Sequence, residues 1–216
     1  MLEKSYRIPS VSAPQGAETV LLHTCCAPCS SAIIECLLHN GIRPTIYYCN
    51  PNIFPEEEYL IRKNECTRYA ESLGLDIVDA DYDHDAWIEW VRTAAAEDGC
   101  ADIAAERERG GRCLECFRYR LLKSAEYAAS HGFPVLTTTL ASSRWKSLEQ
   151  INRAGLWAVG QVKENAPLWW DRNWRKEGLQ ERRNLLIREY GFYNQTWCGC
   201  EFSARKADDM QSNAAD

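Results

Sequence analysis

Short runs of apolar, β-branched and aromatic residues alternate along this chain with longer segments in which apolar positions recur at helical spacing. The short runs predict β-strands, at residues 19–22, 44–49, 75–80 and 133–140, with a further strand at 157–162. The longer segments predict helices, at residues 30–38, 56–73, 86–96, 113–130, 142–154 and 177–190. Strands that alternate with helices favour an α/β fold in which helices cover a parallel sheet.

The length of 216 residues suits one large domain. Residues 1–17 are polar and contain prolines, which predicts a loose N-terminal extension before a single α/β domain over residues 18–206. Residues 207–216 predict a frayed tail. The composition changes near Gly99, where charged residues followed by two glycines predict a lid or an insertion at residues 100–112.

A hydrophobic fraction of 45% is enough to build a core, so an intrinsically disordered chain is excluded. No apolar run is long enough to span a bilayer. The first residues also lack the basic start, apolar middle and small-residue cleavage site of a secretory signal. We therefore expect a cytoplasmic protein that does not bind membranes. In that reducing compartment, clustered cysteines are more often metal ligands or redox groups than structural disulfides.

The first cysteine cluster follows the first predicted strand. Cys25, Cys26 and Cys29 lie on the turn between that strand and the next helix, at the end of the strand where α/β proteins usually bind ligands. The N-terminus of a helix lowers the pKa of a thiol, and the thiolate is the form that binds metals and attacks electrophiles. Three thiols so close in sequence favour a metal or reactive site over three buried packing residues.

A second pair, Cys113 and Cys116, begins the helix that follows a Gly-Gly turn. Its spacing alone is compatible with zinc, an iron–sulfur cluster or a redox disulfide. Together with the first cluster it gives five thiols, more than a closed zinc site or a cubane cluster uses, which indicates an additional metal or a free reactive thiol. Because zinc ligand sets seldom use adjacent cysteines, the pattern favours iron–sulfur chemistry.

The third group is Cys198 and Cys200, separated by one glycine. A disulfide between them would close a small, strained ring that is readily reduced, which suits a redox relay. A further pair of metal thiols is the alternative. The remaining cysteines are single, and those in helix or strand patterns are expected in the core: Cys36, Cys49 and Cys66. Cys100 is assigned no role.

The net charge of −6 is unevenly distributed. Residues 1–100 carry an excess of acidic side chains and residues 101–206 an excess of basic ones, which indicates either a nucleic-acid-binding face or only a solvated surface. Tryptophans and cations are interleaved late in the chain, as in proteins that stack unpaired bases, at Trp157, Trp169, Trp170, Arg172, Trp174, Arg175, Lys176, Arg182 and Arg183. Each tryptophan taken alone is more typical of a core. The chain has no Walker-type loop, which disfavours ATP chemistry.

Several segments place these cysteines in characteristic surroundings: LHTCCAPC at 22–29, YCNPNI at 48–53, CLECF at 113–117 with Arg120 and Leu121, TTTL at 137–140 with Ser142, and WCGC at 197–200 with Phe202 and Ser203. In combination and in this order, from about Thr19 to Ser203, they resemble the cobalamin-independent epoxyqueuosine reductases, the QueH family. The resemblance implies a fold similar to the adenine-nucleotide α-hydrolase-like, Rossmann-type fold.

The resemblance also implies an activity, the last step of queuosine biosynthesis. In this step epoxyqueuosine, at the wobble position of certain tRNA anticodons, is reduced to queuosine. The epoxide oxygen leaves as water after two electrons and two protons are added. The implied partners are therefore tRNA carrying epoxyqueuosine and an electron donor that the sequence does not identify.

The resemblance assigns roles to the clustered cysteines. It implies a 4Fe-4S cluster that is held by Cys25, Cys26, Cys113 and Cys116. It also implies an additional mononuclear iron beside this cluster. Cys29 would contact the additional iron, although some members of the family have an acidic residue at this position. Cys198 and Cys200 would be a redox-active pair. The proton donor is not identified, and His23, Tyr48 and Asp81 are candidates because they lie near predicted strand ends.

Two alternatives remain open at this point. An iron–sulfur tRNA thiolation enzyme would use similar cysteines, but the missing ATP loop disfavours it. A zinc-bound RNA-binding module without catalysis would use the same thiols and the same basic surface.

Overall fold

A parallel five-stranded sheet lies at the centre of the computed structural model, which describes residues 6–97, 99 and 102–203. The strands are β1 (Thr19–Thr24), β2 (Arg43–Tyr48), β3 (Ile77–Asp79), β4 (Val135–Thr138) and β5 (Leu168–Trp169). Their spatial order is β3-β2-β1-β4-β5, and every neighbouring pair is parallel. This is the order of doubly wound α/β proteins.

Helices cover both faces of this sheet. They are α1 (Ala27–His39), α2 (Glu56–Ser72), α3 (His84–Glu97), α4 (Gly111–Ser130), α5 (Leu148–Gln161) and α6 (Leu179–Tyr190). Side chains alternate along β1, so that Val20 and Leu22 pack with α1, α2 and α6 while Leu21 packs with α4 and α5. A third, smaller cluster joins α3 to α4 around the buried Trp87. The predicted α/β fold with a helix-covered parallel sheet is thus confirmed.

Two chain segments outside the sheet also pack closely. Within the segment that the sequence assigns to an N-terminal extension, Val11 and Ala13 are buried in the core, and the Asn40 side chain bonds both Val11 N–H and Pro9 C=O. Residues 102–110 connect α3 to α4 through a series of turns, with Ile103 buried beneath them. Cys100 and residues 207–216 lie outside the described residues.

The predicted core cysteines Cys36, Cys49 and Cys66 are all buried, as expected. In the part of the chain that the structure describes, no helix is both long and apolar enough to cross a membrane.

The strand predicted at residues 157–162 is wrong. These residues belong to α5, which continues through Gly155 to Gln161, and the fifth strand is Leu168–Trp169 instead. The sequence predicted that the helix ends at Gly155. Instead, the glycine leaves room for the ring of Trp169, since a Cβ added there would lie 2.2 Å from Cε2 of Trp169. The glycine therefore lets α5 approach β5 closely, and the helix passes through it without a break.

This contact gives a testable prediction about stability. Replacing Gly155 by Ala should destabilise the protein by about 1–3 kcal/mol, because the new methyl group would overlap the half-buried indole of Trp169 and force α5 away from the sheet. Gly160→Ala is the matched control in the same helix, since a Cβ there has nothing within 4 Å. It should be neutral or stabilise by up to about 1 kcal/mol. Chemical denaturation of both variants checks this, and equal unfolding free energies would contradict it.

Candidate active site

The site lies where the chain leaves two neighbouring strands in opposite directions. After β1 the chain enters α1 on one face of the sheet, and after β4 it leads to α5 on the other. Doubly wound proteins bind ligands in the crevice at such a switch point. A cavity of about 650 Å³ opens here. The cysteines that line it come from the three predicted groups: Cys25, Cys29, Cys113, Cys116, Cys198 and Cys200.

The β1–α1 turn brings three sulfur atoms together. The Sγ atoms of Cys25, Cys26 and Cys29 all lie within 4.8 Å of one another, because Cys26 caps the helix and Cys29 follows within its first turn. The Thr139 side chain fixes Cys25 from the end of β4. Its hydroxyl oxygen accepts the Cys25 N–H at 3.1 Å, and its O–H donates to the Cys25 Sγ at 3.4 Å.

The three thiols differ in acidity. Hydrogen bonds from the thiols of Cys26 and Cys29 hold the pKa of Cys25 well below its usual range. Burial and the bond to Cys25 raise the pKa of Cys26, and the bond to Cys25 is the main cause that raises the pKa of Cys29 to about 11. Among the three thiols, that of Cys25 is therefore the one whose ionised form its neighbours favour. A metal that replaces the thiol protons would find three sulfur ligands already gathered.

Cys113 and Cys116 enter the cavity from the first two turns of α4. This helix begins at Gly111, where the Glu106 carboxylate accepts the backbone N–H groups of Gly111 and Arg112 at 2.6 and 2.5 Å. The capping carboxylate thus fixes the start of the helix that carries both thiols. Burial, reinforced by the nearby Cys198, raises the pKa of Cys113 to about 12. Burial also raises the pKa of Cys116.

The C-terminal segment 195–203 closes another side of the cavity. Cys200 forms an antiparallel bridge with Ile53, and the Phe54 N–H donates to the Gly199 carbonyl at 2.9 Å. Arg62 Nη1 donates to the Cys198 carbonyl at 3.1 Å. The thiols of Cys198 and Cys200 are free. All three cysteine groups that the sequence analysis identified therefore meet at one cavity.

Two cations, the buried Arg120 and the half-buried Lys146, lie beside the thiols. Arg120 donates through Nε to the Cys49 carbonyl at 3.1 Å and through Nη2 to the Asn50 side chain, which in turn donates to the Thr24 carbonyl at 2.8 Å. Burial alone would lower the pKa of Arg120 and of Lys146, but the surrounding cysteines raise both pKa values. The two side chains therefore stay protonated and offset negative charge on sulfur.

The cavity as a whole is basic although the protein is acidic. Among the described residues that line it, one is acidic, Glu108, and seven are basic: Arg62, Arg107, Arg109, Arg112, Arg120, Lys146 and Arg183. Four of these lie within residues 107–120, and the other three come from distant parts of the sequence. Such a concentration of positive charge in a concave site favours an anionic ligand.

The structure excludes His23, Tyr48 and Asp81 from the cavity lining. The His23 ring is buried, with Nε2 donating to the Cys49 carbonyl at 3.1 Å and Nδ1 accepting from the Thr138 hydroxyl at 2.7 Å. Burial and the charge of Arg120 lower its pKa to about 3. His23 therefore ties neighbouring strands together as a neutral ring.

The interleaved tryptophans are also placed differently from the sequence-based hypothesis. Trp170 and Trp174 are buried, and Trp157 and Trp169 pack against the core, so these four rings do not form a base-stacking surface. The tryptophans that do line the cavity are Trp87, Trp145 and Trp197. Arg182 is paired with Glu35 and Glu189, whereas its neighbour Arg183 lines the cavity.

Several lining residues were missed by the sequence analysis: Lys146, Gln195 and Trp145. Gln195 Nε2 donates to the Cys26 Sγ at 2.7 Å across a long sequence separation. The sequence carries no local signal for such a contact. Thr139 lies in the segment TTTL at 137–140, which the sequence analysis quoted without assigning a role to this residue.

Gly199 provides a test of how the segment 195–203 is held. Its φ of +101° is strained for other residues, and a Cβ there would lie 2.8 Å from Arg62 Nη1 and 3.0 Å from Ile53 Cγ1. Gly199→Ala should therefore cost about 1–2 kcal/mol in backbone strain and also displace Arg62 from the Cys198 carbonyl. Gly191→Ala is the matched control, since its φ is +62° with nothing within 4 Å.

We expect faster alkylation of Cys198 and Cys200 in the metal-free Gly199→Ala variant than in the Gly191→Ala variant, as measured by mass spectrometry. Equal alkylation rates in the two variants would show that the contacts of Gly199 do not hold the segment.

Comparisons with known proteins agree on one family. A sequence profile described as Epoxyqueuosine reductase QueH matches residues 20–206. The protein named Epoxyqueuosine reductase QueH from Haemophilus influenzae is 45% identical over 195 residues, covering 90% of this chain and 75% of its own length. Proteins of the same name from Acinetobacter baylyi and Thermotoga maritima are 43% and 29% identical, covering 89% and 86% of this chain and 83% and 90% of their own lengths. The chain therefore belongs to the QueH family of epoxyqueuosine reductases.

Proposed function

We propose that this protein reduces epoxyqueuosine to queuosine in tRNA. The observation that carries the proposal is the convergence of six cysteines on one basic cavity at the switch point of the sheet. The thiols supply redox and metal-binding chemistry, and the cations suit a polyanionic substrate. The names of the relatives give the substrate and the reaction.

The cysteines fit an iron–sulfur cofactor by their chemistry. The grouped side chains at the β1–α1 turn are all thiols, the ligands that iron–sulfur clusters use. Following the resemblance, we assign a 4Fe-4S cluster to Cys25, Cys26, Cys113 and Cys116, and an additional iron to Cys29. When bound, such a cluster would supply electrons one at a time, and the additional iron would supply Lewis-acid chemistry.

Cys198 and Cys200 are proposed as the redox-active pair. Formation of one S–S bond from two thiols breaks two S–H bonds and releases two electrons and two protons. Reduction of the epoxide to an alkene and water consumes the same numbers, so one oxidation of the pair balances one turnover. An external donor, a dithiol or a low-potential electron carrier, must then reduce the disulfide.

The other cavity residues bind and orient the substrate. Arg120 and Lys146 place positive charge beside the thiols, and Lys146 is proposed to stabilise an oxygen that gains negative charge. Arg107, Arg109 and Arg183 lie on the lining as well and are available to phosphates. A nucleotide in an anticodon loop is unpaired or can be turned outward, so it can enter a cavity of this kind. We also propose a cytoplasmic location, since a reducing compartment keeps clustered thiols available for metal binding and redox chemistry.

The proposal is tested by incubating the anaerobically reconstituted protein with a strong reductant and tRNA that contains epoxyqueuosine. Nucleoside analysis should show loss of epoxyqueuosine and gain of queuosine. With a dithiol as the only donor, Cys198→Ser and Cys200→Ser should each lower the rate by at least about tenfold, whereas a strong chemical reductant should restore part of it. No queuosine from the wild-type protein would refute the proposed function. Loss of iron in proportion to activity in either variant would refute the relay.

Metal content gives an independent prediction. Cys113→Ala and Cys116→Ala should lose the brown thiolate-to-iron absorbance, because each removes a proposed ligand. Cys36→Ala and Cys66→Ala are the controls, since both thiols are buried in the core away from the cavity lining. Iron analysis and visible spectra of the purified variants check this. Equal iron in all four variants would overturn the ligand assignment, and a colourless wild-type protein that holds zinc would favour a non-catalytic module.

A further inference from the structure

We propose that Trp145 is a stacking platform for a nucleobase of the bound RNA, beside the nucleotide that enters the cavity. This inference rests on the proposed function, because it names a contact for the same tRNA substrate. It concerns a residue outside the cysteine groups and outside the tryptophans that the sequence pointed to.

The exposure of the ring is the first observation. Trp145 lines the cavity, yet its relative exposure is 65%, the highest among the large exposed hydrophobic residues that the structure describes. Burying such a ring is strongly favourable, so leaving it in water has a cost that the fold itself does not offset. A large aromatic ring at the mouth of a binding cavity is thus available to a ligand.

The backbone that carries the ring is held firmly. Arg109 donates through Nε to the Trp145 carbonyl at 2.8 Å and through Nη2 to the Arg144 carbonyl at 3.1 Å. Arg175 donates to the next carbonyl, that of Lys146, also at 2.8 Å. Three consecutive carbonyls are therefore bound by arginines from two other segments. This arrangement fixes the position of Trp145 before any ligand binds, which lowers the entropy lost on binding.

The charges around the ring identify the kind of ligand. The Arg144 guanidinium lies 4.8 Å from the Trp145 ring centroid, and the exposed Arg107 and Arg109 line the same cavity. An aromatic plane among cations is the combination that binds single-stranded nucleic acid, with a base on the ring and phosphates on the cations. A neutral apolar partner would leave these charges without a role.

Fluorescence anisotropy with a labelled anticodon stem–loop hairpin that carries epoxyqueuosine tests the inference, using the reconstituted protein. Trp145→Ala should weaken binding by roughly tenfold, the usual cost of losing one stacked base, and Trp145→Phe should recover much of the affinity. Leu156→Ala is the control, because Leu156 is 61% exposed on α5 but does not line the cavity. It should bind as the wild type does.

Two further readouts separate stacking from a structural effect. A hairpin with 2-aminopurine at a loop position next to the wobble nucleotide should lose fluorescence on binding to the wild-type and Phe proteins, but much less on binding to the Ala variant. The slope of log affinity against log salt should be unchanged in Trp145→Ala, since the ring carries no charge. Arg107→Gln should reduce that slope by about one, as expected for loss of one phosphate contact.

The outcomes distinguish this inference from the proposed function. If the wild type binds the hairpin and produces queuosine but Trp145→Ala binds equally well, only the stacking inference fails. Equal losses of affinity in the Ala and Phe variants, or an altered salt slope in the Ala variant, would also overturn it. If the wild type neither binds the hairpin nor produces queuosine, the proposed function itself fails.

Discussion

Mutual repulsion between thiolates is the constraint around which this site is built. Thiols that gather within a few ångströms cannot all ionise without compensating charge, because like charges in a buried site raise one another's pKa values. The chain meets this constraint in two ways. Hydrogen bonds from the thiols of Cys26 and Cys29 lower the pKa of Cys25, while the pKa values of Cys26 and Cys29 are raised. Arg120 and Lys146 then supply fixed positive charge beside Cys25.

The architecture around the sheet follows from the need to hold these groups in place. The β1–α1 turn can carry three thiols only if its backbone is fixed, and the fixing contacts come from other elements. Thr139 reaches it from the end of β4, and Asn50 reaches it from the end of β2 while also binding Arg120 on α4. The switch point therefore provides a crevice and also supplies side chains from both neighbouring strands.

How far the sequence could predict this structure depends on the range of each contact. The β1–α1 turn and the parallel sheet rest on local patterns and were predicted correctly. The three cysteine groups do meet at one cavity, but the roles assigned to them stay predictions. The strand assigned to residues 157–162 was wrong because a short apolar run such as residues 157–159 is also compatible with a helix that packs on the sheet. The glycine taken as a helix stop instead makes room for Trp169. Only the tertiary fold reveals such a contact, or that of Gln195 with Cys26.

The distribution of charge is a second feature that the sequence could not predict in full. The excess of basic residues after residue 100 is a sum over the sequence. Such a sum cannot tell whether the basic side chains form a binding surface or are only solvated. In space, Arg62 from the acidic half joins the cavity, whereas Arg182 from the basic half is paired with Glu35.

The cavity cations also differ in burial, and this difference separates two roles. Arg112 and Arg120 are buried and act inside the protein, through backbone carbonyls and beside the cysteines, so their charge is already engaged. Arg107 and Arg109 are exposed at the opening. A single basic cavity can thus compensate internal thiolates and still present positive charge to an external polyanion. This division explains how an acidic protein can present a site suited to RNA.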